Sequence, residues 1–389
     1  MRKRCVFFIV LIWMLAGGCT AKPEYREPSL FAVTVSDLHY TSDPNVISSV
    51  VPAMPYAPQV TQALVNEVIA LHPDVLIITG DNTNSGQKRD MEELAECLMQ
   101  VKEAGIPVLM TTGNHDFNYG LVEEYREIYG PLAEPDGQDA ASFSYYRDIG
   151  NVRIFVMDDS SYSGGAGGTF SEATMRWLKN GLKEAGKEGL RVLFLSHHNV
   201  TAGRNDDRND SYRITIQELE PLLIKNNVRL CISGHLHSQS ILEHEGMYEI
   251  ISGMVLSGRH PMGFLTMDES GVEYHTESID FRTYGEAGLA AAIAETDRRS
   301  AEGMDDIFEK ILLEKGIEAK ERDGIQALLR RFMAAREEGS LMQERDAIRS
   351  DPYYEAMRDV LADENYGPWI ESLLDDPPRD GNHLQYAWD

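Results

Sequence analysis

The most informative stretch of the sequence is Thr111-Thr112-Gly113-Asn114-His115-Asp116, which follows the short apolar run Ile106–Met110. Such a run is typical of a buried strand. A glycine, an amide, an imidazole and a carboxylate then follow without a spacer, which is poor packing material but a good way to hold reactive groups on a rigid backbone. The stretch alone is suggestive, and its meaning depends on the rest of the chain.

Further polar motifs occur along the chain, and each comes just after an apolar, strand-like run. In order, the full set is Asp37-x-His39, Gly80-Asp81-Asn82, Gly113-Asn114-His115-Asp116, His197-His198 and Gly234-His235-x-His237. In an open α/β sheet, ligands gather at the carboxyl ends of the strands. Several strand ends can therefore converge on one site although their residues lie far apart in the sequence.

The residue types in these motifs fit divalent transition metals. Carboxylates, imidazoles and an amide oxygen suit manganese, iron or zinc, and the lack of a thiolate argues against a structural zinc site. One residue separates Asp37 from His39 and His235 from His237. In an extended segment, the two members of each pair would point the same way and reach one metal cluster.

Taken in this order, the motifs resemble the calcineurin-like metallophosphoesterase family over residues 31 to about 280. The resemblance implies an α/β fold, a four-layer αββα sandwich, with two divalent transition-metal ions: Mn²⁺ and/or Fe, with Zn²⁺ as an alternative. By resemblance, the first metal takes Asp37, His39, Asp81 and His237, and the second takes Asp81, Asn114, His197 and His235, with Asp81 bridging.

The two adjacent histidines need different roles under this resemblance. His197 is taken as the ligand because the family's metal histidine directly follows the strand, and the reverse assignment stays open. His198 then supports the ligands or lines the substrate pocket. Arg204 is a further candidate for contact with a substrate phosphate, with a surface or packing role as the alternative.

The resemblance implies hydrolysis of a phosphoester. Two cations a few Å apart lower the pKa of a bridging water, so that a hydroxide is available to attack near neutral pH. His115 is the motif histidine not needed as a ligand, and we expect it to protonate the leaving group. Asp116 or a neighbouring carboxylate is expected to hold the tautomer of His115. More depends on Asp116 because many family members carry an aspartate where this chain has Asn84.

Charge narrows the class of substrate. The 389-residue chain has a formal net charge of −27 and a pI near 4.8. Binding to a nucleic-acid polymer is not expected, because it requires a basic surface that releases counterions. A small phosphoester is still compatible with this charge, since bound cations dominate the local field.

The N-terminus has the pattern of a targeting segment. A basic start, Met1–Arg4, precedes the apolar run Val6–Ala16, which is too short for a dedicated membrane-spanning helix. Gly17 and Gly18 then come before Cys19. The pattern resembles a lipoprotein signal, although Ala16 stands where leucine is usual. We therefore expect residues 1–18 to be a signal peptide, Cys19 to be lipidated, and residues 19–30 to tether the protein to a bacterial membrane. An ordinary secretory peptide and an uncleaved anchor are the alternatives.

The remaining chain divides into two parts. Residues 31–282 alternate strand-like and helical patterns, which predicts a metallophosphoesterase domain with strands buried on both faces. From about residue 284 the pattern is helical only; for example, Ile325, Leu328, Leu329 and Phe332 share one helix face. Residues 283–389 are accordingly predicted to form a small all-α C-terminal domain.

Within the family, a chain with a lipoprotein-like signal and a helical extension resembles bacterial cyclic-nucleotide phosphodiesterases. The sequence of Gly80–Asn84 is also similar to that group. Cyclic nucleotides are therefore the expected substrates. Glycerophosphodiesters and phosphomonoesters are alternatives, and a non-catalytic metal- or ligand-binding lipoprotein is an alternative of a different class. The complete ligand set together with His115 favours an enzyme. The native metal pair and the oligomeric state are left open by the sequence.

Overall fold

The computed structural model describes residues 30–46, 48, 51–160, 162, 165, 167–201, 213–362, 366–375 and 379–388. The predicted signal peptide, Cys19, the tether up to residue 29, and Arg204 lie outside the described residues. Across the described ranges, no helix could span a bilayer, since none joins sufficient length to sufficient apolarity.

The strands and helices alternate through the first part of the chain, and helices dominate the last part. The strands are β1 (Leu30–Val35), β2 (Val75–Ile78), β3 (Val108–Met110), β4 (Gly137–Gln138), β5 (Tyr145–Ile149), β6 (Val152–Val156), β7 (Arg191–Leu195), β8 (Leu230–Ser233), β9 (Ser240–His244), β10 (Met247–Ile251), β11 (Pro261–Met267), β12 (Gly271–Ser278) and β13 (His383–Ala387). The α-helices are α1 (Ala57–Leu71), α2 (Lys88–Glu103), α3 (Val122–Ala133), α4 (Glu172–Glu188), α5 (Leu219–Lys225), α6 (Leu289–Glu314), α7 (Ala319–Glu337), α8 (Leu341–Arg349), α9 (Tyr354–Leu361) and α10 (Tyr366–Asp375).

The strands form two sheets. The first has the order β13-β12-β11-β1-β2-β3, and the second has the order β4-β5-β6-β7-β8-β10-β9. Strands β1, β2 and β3 run parallel to one another, and so do β6, β7, β8 and β10. Parallel pairing brings the carboxyl ends of the strands to one edge of each sheet, where loops can form a common site.

The sheets pack face to face, with helices on both outer faces. Along β2, Val75 and Ile77 belong to the core between the sheets, whereas Leu76 and Ile78 belong to the core under α1–α3. Successive side chains of a strand point to opposite faces, so a continuous apolar run buries both. On the far side, α4 and α5 pack against the second sheet. This four-layer α/β/β/α sandwich confirms the predicted fold.

The last part of the chain is a helical region that returns to the first sheet. Helices α6–α10 share a separate apolar core that includes Ile325, Leu329 and Phe332. Strand β13 then pairs antiparallel with β12, from Gly271 opposite Ala387 to His275 opposite His383. The prediction of helices only after residue 284 is therefore wrong for this strand. The proposed boundary at residues 282–283 stays a prediction.

Candidate metal centre

The predicted ligands lie in loops that follow the carboxyl ends of the parallel strands, and backbone hydrogen bonds join these loops. The Asp37 amide donates to Gly80 O at 3.1 Å, and the His39 amide donates to Asp81 O at 2.9 Å. In the same way, the Gly234 amide donates to His197 O at 3.0 Å. The polar motifs are thus held side by side across both sheets.

Four of the predicted ligands form a first cluster, whose donor atoms all lie within 4.8 Å of one another: Asp37, His39, Asp81 and His237. His39 Nε2 lies 3.0 Å from His237 Nε2 and 3.6 Å from Asp81 Oδ2. His237 Nε2 lies 3.4 Å from Asp37 Oδ1. Two carboxylates and two imidazoles therefore face a common point, as predicted for the first metal.

The second cluster is centred on His197. Its Nε2 lies 3.4 Å from Asp81 Oδ1, 3.2 Å from Asn114 Oδ1 and 3.2 Å from His235 Nδ1. Asp81 thus presents Oδ2 to the first cluster and Oδ1 to the second, as a bridging carboxylate must. The sequence prediction named this same set for the second metal. The ligand roles stay predictions, and the geometry supports them.

The charge states of these groups suit cations. Burial lowers the pKa of His39 to about 3 and that of His235 to about 2, so both imidazoles are neutral and can offer a lone pair. Although burial opposes ionisation of Asp81, His197 holds the pKa of that carboxyl well below its usual range. Anionic carboxylates beside neutral imidazoles form a donor set for divalent transition metals.

The surroundings of His197 also favour a positive charge at this position. Although burial disfavours its charged form, the Asp81 carboxylate raises the pKa of His197 to about 10. Its Nδ1 lies 2.8 Å from Thr79 O, which fixes the proton on that nitrogen and turns Nε2 towards Asp81 and Asn114. A cation held between these side chains would replace the second proton of the ring.

His198 is buried among the ligands and does not face an open pocket. Its backbone amide donates to Asp159 Oδ2 at 2.8 Å, and its Nδ1 lies 3.3 Å from the same oxygen. Its ring centroid is 4.4 Å from that of His235. The side chain is fully buried, which favours the supporting role over contact with the substrate, and the role of His198 stays a prediction. His197, rather than His198, is the ring that faces Asn114, which favours His197 as the ligand. Ring nitrogens of His197, His198 and His235 also lie within 4.8 Å of one another, so the choice between the two histidines stays a prediction.

His115 lies at the edge of the first cluster and is partly exposed. Its ring centroid is 4.6 Å from that of His39, and its backbone amide donates to Asp81 Oδ1 at 2.8 Å. Its Nδ1 lies 2.8 Å from the backbone oxygen of Asn84. A carbonyl only accepts, so Nδ1 carries the proton and Nε2 is the nitrogen that can exchange one with a substrate.

Asp116 does not hold His115, contrary to the prediction. Its Oδ2 accepts hydrogen bonds from Asn82 Nδ2 at 2.8 Å and from the Gly113 amide at 3.0 Å. Its Oδ1 accepts from the Thr83 amide at 2.8 Å. The carboxylate therefore ties the loop after β2 to the loop after β3. The backbone oxygen of Asn84 orients the His115 ring, so the ring is held although residue 84 is not an aspartate.

The ligand loops are not extended, which corrects a second sequence argument. Asp37, His39, Asp81, His235 and His237 have φ values of 54°, 39°, 45°, 70° and 51°. This left-handed region is uncommon for residues other than glycine and is characteristic of strained functional loops. His235 lies against His197, and His237 lies against Asp37, in line with the different metals that the resemblance assigns to them.

Two further carboxylates support the ligand loops. Asp159 follows β6 and accepts from the His198 amide, and Glu249 lies within β10 and accepts from the Val200 and Thr201 amides at 2.9 and 2.7 Å. Asp159 ends a strand-like run, as the ligands do. A glutamate inside the apolar run Met247–Ile251 was the available signal for Glu249.

Residues 33–239, more than half of the chain, match the sequence model of a protein family described as calcineurin-like phosphoesterase. The chain is 27% identical over 158 residues to the glycerophosphodiester phosphodiesterase GpdQ of Enterobacter lignolyticus, covering 41% of this chain and 49% of that protein. It is 24% identical over 220 residues to a probable cyclic nucleotide phosphodiesterase of Psychrobacter arcticus, covering 55% of this chain and 75% of that protein.

The chain thus spans about half the length of the first of these relatives and three quarters of the second. Among solved structures, a dimetal phosphatase from Danio rerio superimposes with a TM-score of 0.51 at 15% identity, covering 65% of this chain and 97% of that one. At this identity the likeness concerns the fold alone.

Proposed function

Because the chain belongs to the calcineurin-like phosphoesterase family, whose members use a dinuclear divalent metal centre, we propose that this phosphoester hydrolase is a phosphodiesterase acting on cyclic nucleotides. The observation that carries the proposal is the pair of donor clusters that share Asp81, with His115 at their edge. The donor set favours Mn²⁺ and/or Fe, with Zn²⁺ as the alternative.

Bound cations would lower the pKa of a water molecule and offset the charge that develops on the phosphoryl oxygens. The protein's own part is to hold and orient. Asp81 sets the spacing of the two cation positions through its two oxygens, and Asn114 supplies a neutral oxygen that adds no negative charge. His115 donates a proton from Nε2 to the departing oxygen, while Asn84 O keeps the Nδ1 proton in place.

The role of His115 is tested with leaving groups of different acidity. A poor leaving alkoxide needs the proton, whereas p-nitrophenolate departs without it. We expect His115→Ala to lower kcat about 10²- to 10⁴-fold on an alkyl phosphodiester, and far less on bis-p-nitrophenyl phosphate. Asn114→Ala serves as the comparison, because losing a predicted metal ligand should slow both substrates. Equal losses on both substrates in His115→Ala would contradict the proton-donor role.

A rim of exposed apolar side chains, two of them aromatic, favours a substrate that carries a planar base. We define the rim as Tyr119, Leu121 and Tyr162, which are 75%, 58% and 43% exposed. Among the described residues up to 282, these are the only large hydrophobic side chains classed as exposed. Exposed apolar side chains are ordinary when scattered, whereas a group beside a reactive centre is typical of a binding site.

Two contacts place the rim beside the proposed site. The Tyr119 amide donates to Ser85 O at 3.0 Å, next to the residue whose carbonyl holds His115. The Tyr162 ring lies 5.0 Å from the Phe117 ring, two residues after His115. We propose that a base joined to the phosphodiester contacts these side chains.

The rim separates the cyclic-nucleotide proposal from its main alternative. Similarity to GpdQ favours a glycerophosphodiester as second candidate, and glycerol has no planar ring to stack. Stacking of a base on an aromatic side chain is worth about 1–3 kcal/mol. We expect Tyr119→Ser to lower kcat/KM for a cyclic nucleotide about tenfold and to leave glycerophosphodiester turnover unchanged. Tyr366→Ser, an exposed tyrosine of α10, is the matched control.

The outcomes of this comparison are distinct. A uniform loss on both substrates would show that Tyr119 acts on the centre rather than on a base. Turnover of glycerophosphodiesters alone would favour the second candidate. A chain that binds two cations and hydrolyses no phosphoester in a panel of cyclic nucleotides, glycerophosphodiesters and monoesters would instead be a binding protein.

We propose further that the protein is exported and tethered to a bacterial membrane through lipidated Cys19. The support is the sequence alone: a basic start, a short apolar run and small residues before the cysteine. Intact-mass measurement of protein extracted from membranes should give a chain that starts at Cys19 and carries lipid. An unmodified N-terminus would contradict the proposal.

A further inference from the structure

The two residues that follow the predicted ligand His237 are bound to the end of helix α7. Ser238 Oγ donates to Arg336 O at 2.9 Å, and the Gln239 amide donates to Glu337 O at 2.9 Å. The last carbonyls of a helix have no partner within the helix. Arg336 O also accepts from the Gly339 amide at 3.3 Å, and the Gln239 amide supplies a donor for Glu337 O. The ligand loop thus serves as the cap of a helix from the other part of the chain.

The Gln239 side chain extends this contact to the segment before β13. Its Nε2 donates to Gly381 O at 2.7 Å and to Tyr274 Oη at 3.1 Å, and its Oε1 accepts from the Gly253 amide at 3.0 Å. The side chain is almost completely buried. Every polar atom of this amide is therefore used, which fixes its orientation.

Close packing leaves little room for the loop to move. A Cβ added at Gly339 would lie 2.8 Å from Gln239 O, and one added at Gly381 would lie 2.7 Å from the same oxygen. The Gly381 amide also donates to Gly339 O at 2.8 Å. Two glycines from the C-terminal region thus enclose the backbone just beyond His237. We call Ser238, Gln239, the end of α7 and Gly381 the latch.

We propose that the latch positions His237, so that the C-terminal helical region controls the affinity of the cation site formed by Asp37, His39, Asp81 and His237. Gln239 and Ser238 act through His237 and touch no reacting atoms. The second cation site depends less on the latch, because its ligands Asn114 and His197 lie in loops held by Asp116, Thr79 and Asp159. Its third ligand, His235, shares the loop with His237 but lies three residues before Ser238, whereas His237 adjoins Ser238 directly. The inference depends on the shared-carboxylate centre and holds whichever phosphoester is the substrate.

The test is Mn²⁺ binding to the full chain without substrate, measured by calorimetry and by the spin-resonance signal of free Mn²⁺. Gln239→Met keeps the side-chain volume and removes all three side-chain hydrogen bonds. Outer partners of metal ligands are typically worth 10- to 100-fold in affinity, so we expect one of two Mn²⁺ ions to bind at least about tenfold more weakly. The milder Ser238→Ala should weaken the same ion by a smaller factor.

Asp297→Asn is the matched control, because it loosens another contact between the helical region and the rest of the chain. Asp297 Oδ1 lies 3.1 Å from His260 Nε2, and the pair does not include residues of the latch. This variant should bind both ions as the wild type does. Unchanged Mn²⁺ affinity in Gln239→Met and Ser238→Ala would overturn the proposal. Equal weakening of both ions, in these variants and in Asp297→Asn, would overturn it in favour of general loosening.

Discussion

At the scale of single residues, Gly113 is needed because of what lies against it. A Cβ at this position would lie 2.0 Å from the Asp81 amide nitrogen and 2.3 Å from Asp81 Oδ1. Real Cβ atoms do not approach other atoms so closely, and both contacted atoms belong to the proposed bridging residue. The glycine therefore permits the loops after β2 and β3 to touch where the two clusters meet.

Gly113→Ala should consequently abolish stable binding of the cation pair. The added methyl group must push Asp81 away from His39 and His197, and overpacking of this kind costs about 1–3 kcal/mol of stability. Metal content after dialysis, read by elemental analysis, should fall well below two ions per chain. Gly186→Ala is the matched control, because a Cβ there meets nothing within 4 Å. Full metal content in Gly113→Ala would contradict this account.

The residue types could be predicted from the sequence, but their conformations could not. Asp37, His39 and Asp81 stand out because each follows an apolar run, and the resemblance to the family predicts that they are ligands. Their positive φ values are set by hydrogen bonds to loops distant in sequence, which no local pattern records. Asp116 shows the same limit. Its position next to His115 suggested that Asp116 holds that ring. In the structure, the Asp116 carboxylate instead accepts hydrogen bonds from the loop after β2.

At the scale of elements, strand β10 supports the loop after β7 through one buried side chain. Glu249 Oε1 accepts from the Val200 amide and from Ser233 Oγ at 2.7 Å, and Oε2 accepts from the Thr201 amide. This loop begins at the His197-His198 pair. Burial raises the pKa of the Glu249 carboxyl, although these hydrogen bonds oppose the shift.

The pH dependence of stability follows from that direction. Because its pKa is raised in the folded state, Glu249 contributes most stability below its unfolded pKa, near 4.5, and the contribution declines as pH rises through the folded value. Glu249→Gln cannot titrate and leaves the Thr201 amide without an acceptor, which costs about 1–3 kcal/mol. In denaturant titrations, the stability advantage of the wild type should shrink as pH rises above about 4.5. Parallel pH profiles would refute this.

A strand could be predicted where its burial produces a clear pattern of apolar residues in the sequence. Strand β2 is apolar at every position because both faces are covered. An unbroken apolar run of this length is typical of a buried strand. Strand β13 buries Leu384 and half-buries Tyr386, whereas His383, Gln385 and Ala387 are exposed. A two-residue alternation in a short segment after five helices carries a weak signal. Pairing with β12 makes it a strand, and that partner lies more than 100 residues earlier.

At the scale of the whole molecule, the fold buries carboxylates although the chain is already strongly acidic. The chain carries a net charge of −27, and the two carboxylates of the first cluster are buried. Among the described residues, both cysteines, Cys97 and Cys231, are free thiols, so no disulfide bond joins the described parts. Buried carboxylates destabilise a fold unless paired, and cations at the shared centre would offset them.

Removal of divalent cations should therefore destabilise the whole protein and not only inactivate it. A cation at 100 times its dissociation constant stabilises the folded state by about 2.7 kcal/mol if the unfolded chain does not bind it. Chelation should lower the melting temperature, and added Mn²⁺ should restore it. Asp37→Asn is the control: it removes one carboxylate of the first cluster, so its melting temperature should depend less on chelator. A wild-type melting temperature that is the same with chelator and with Mn²⁺ would show that the fold balances its buried carboxylates without cations.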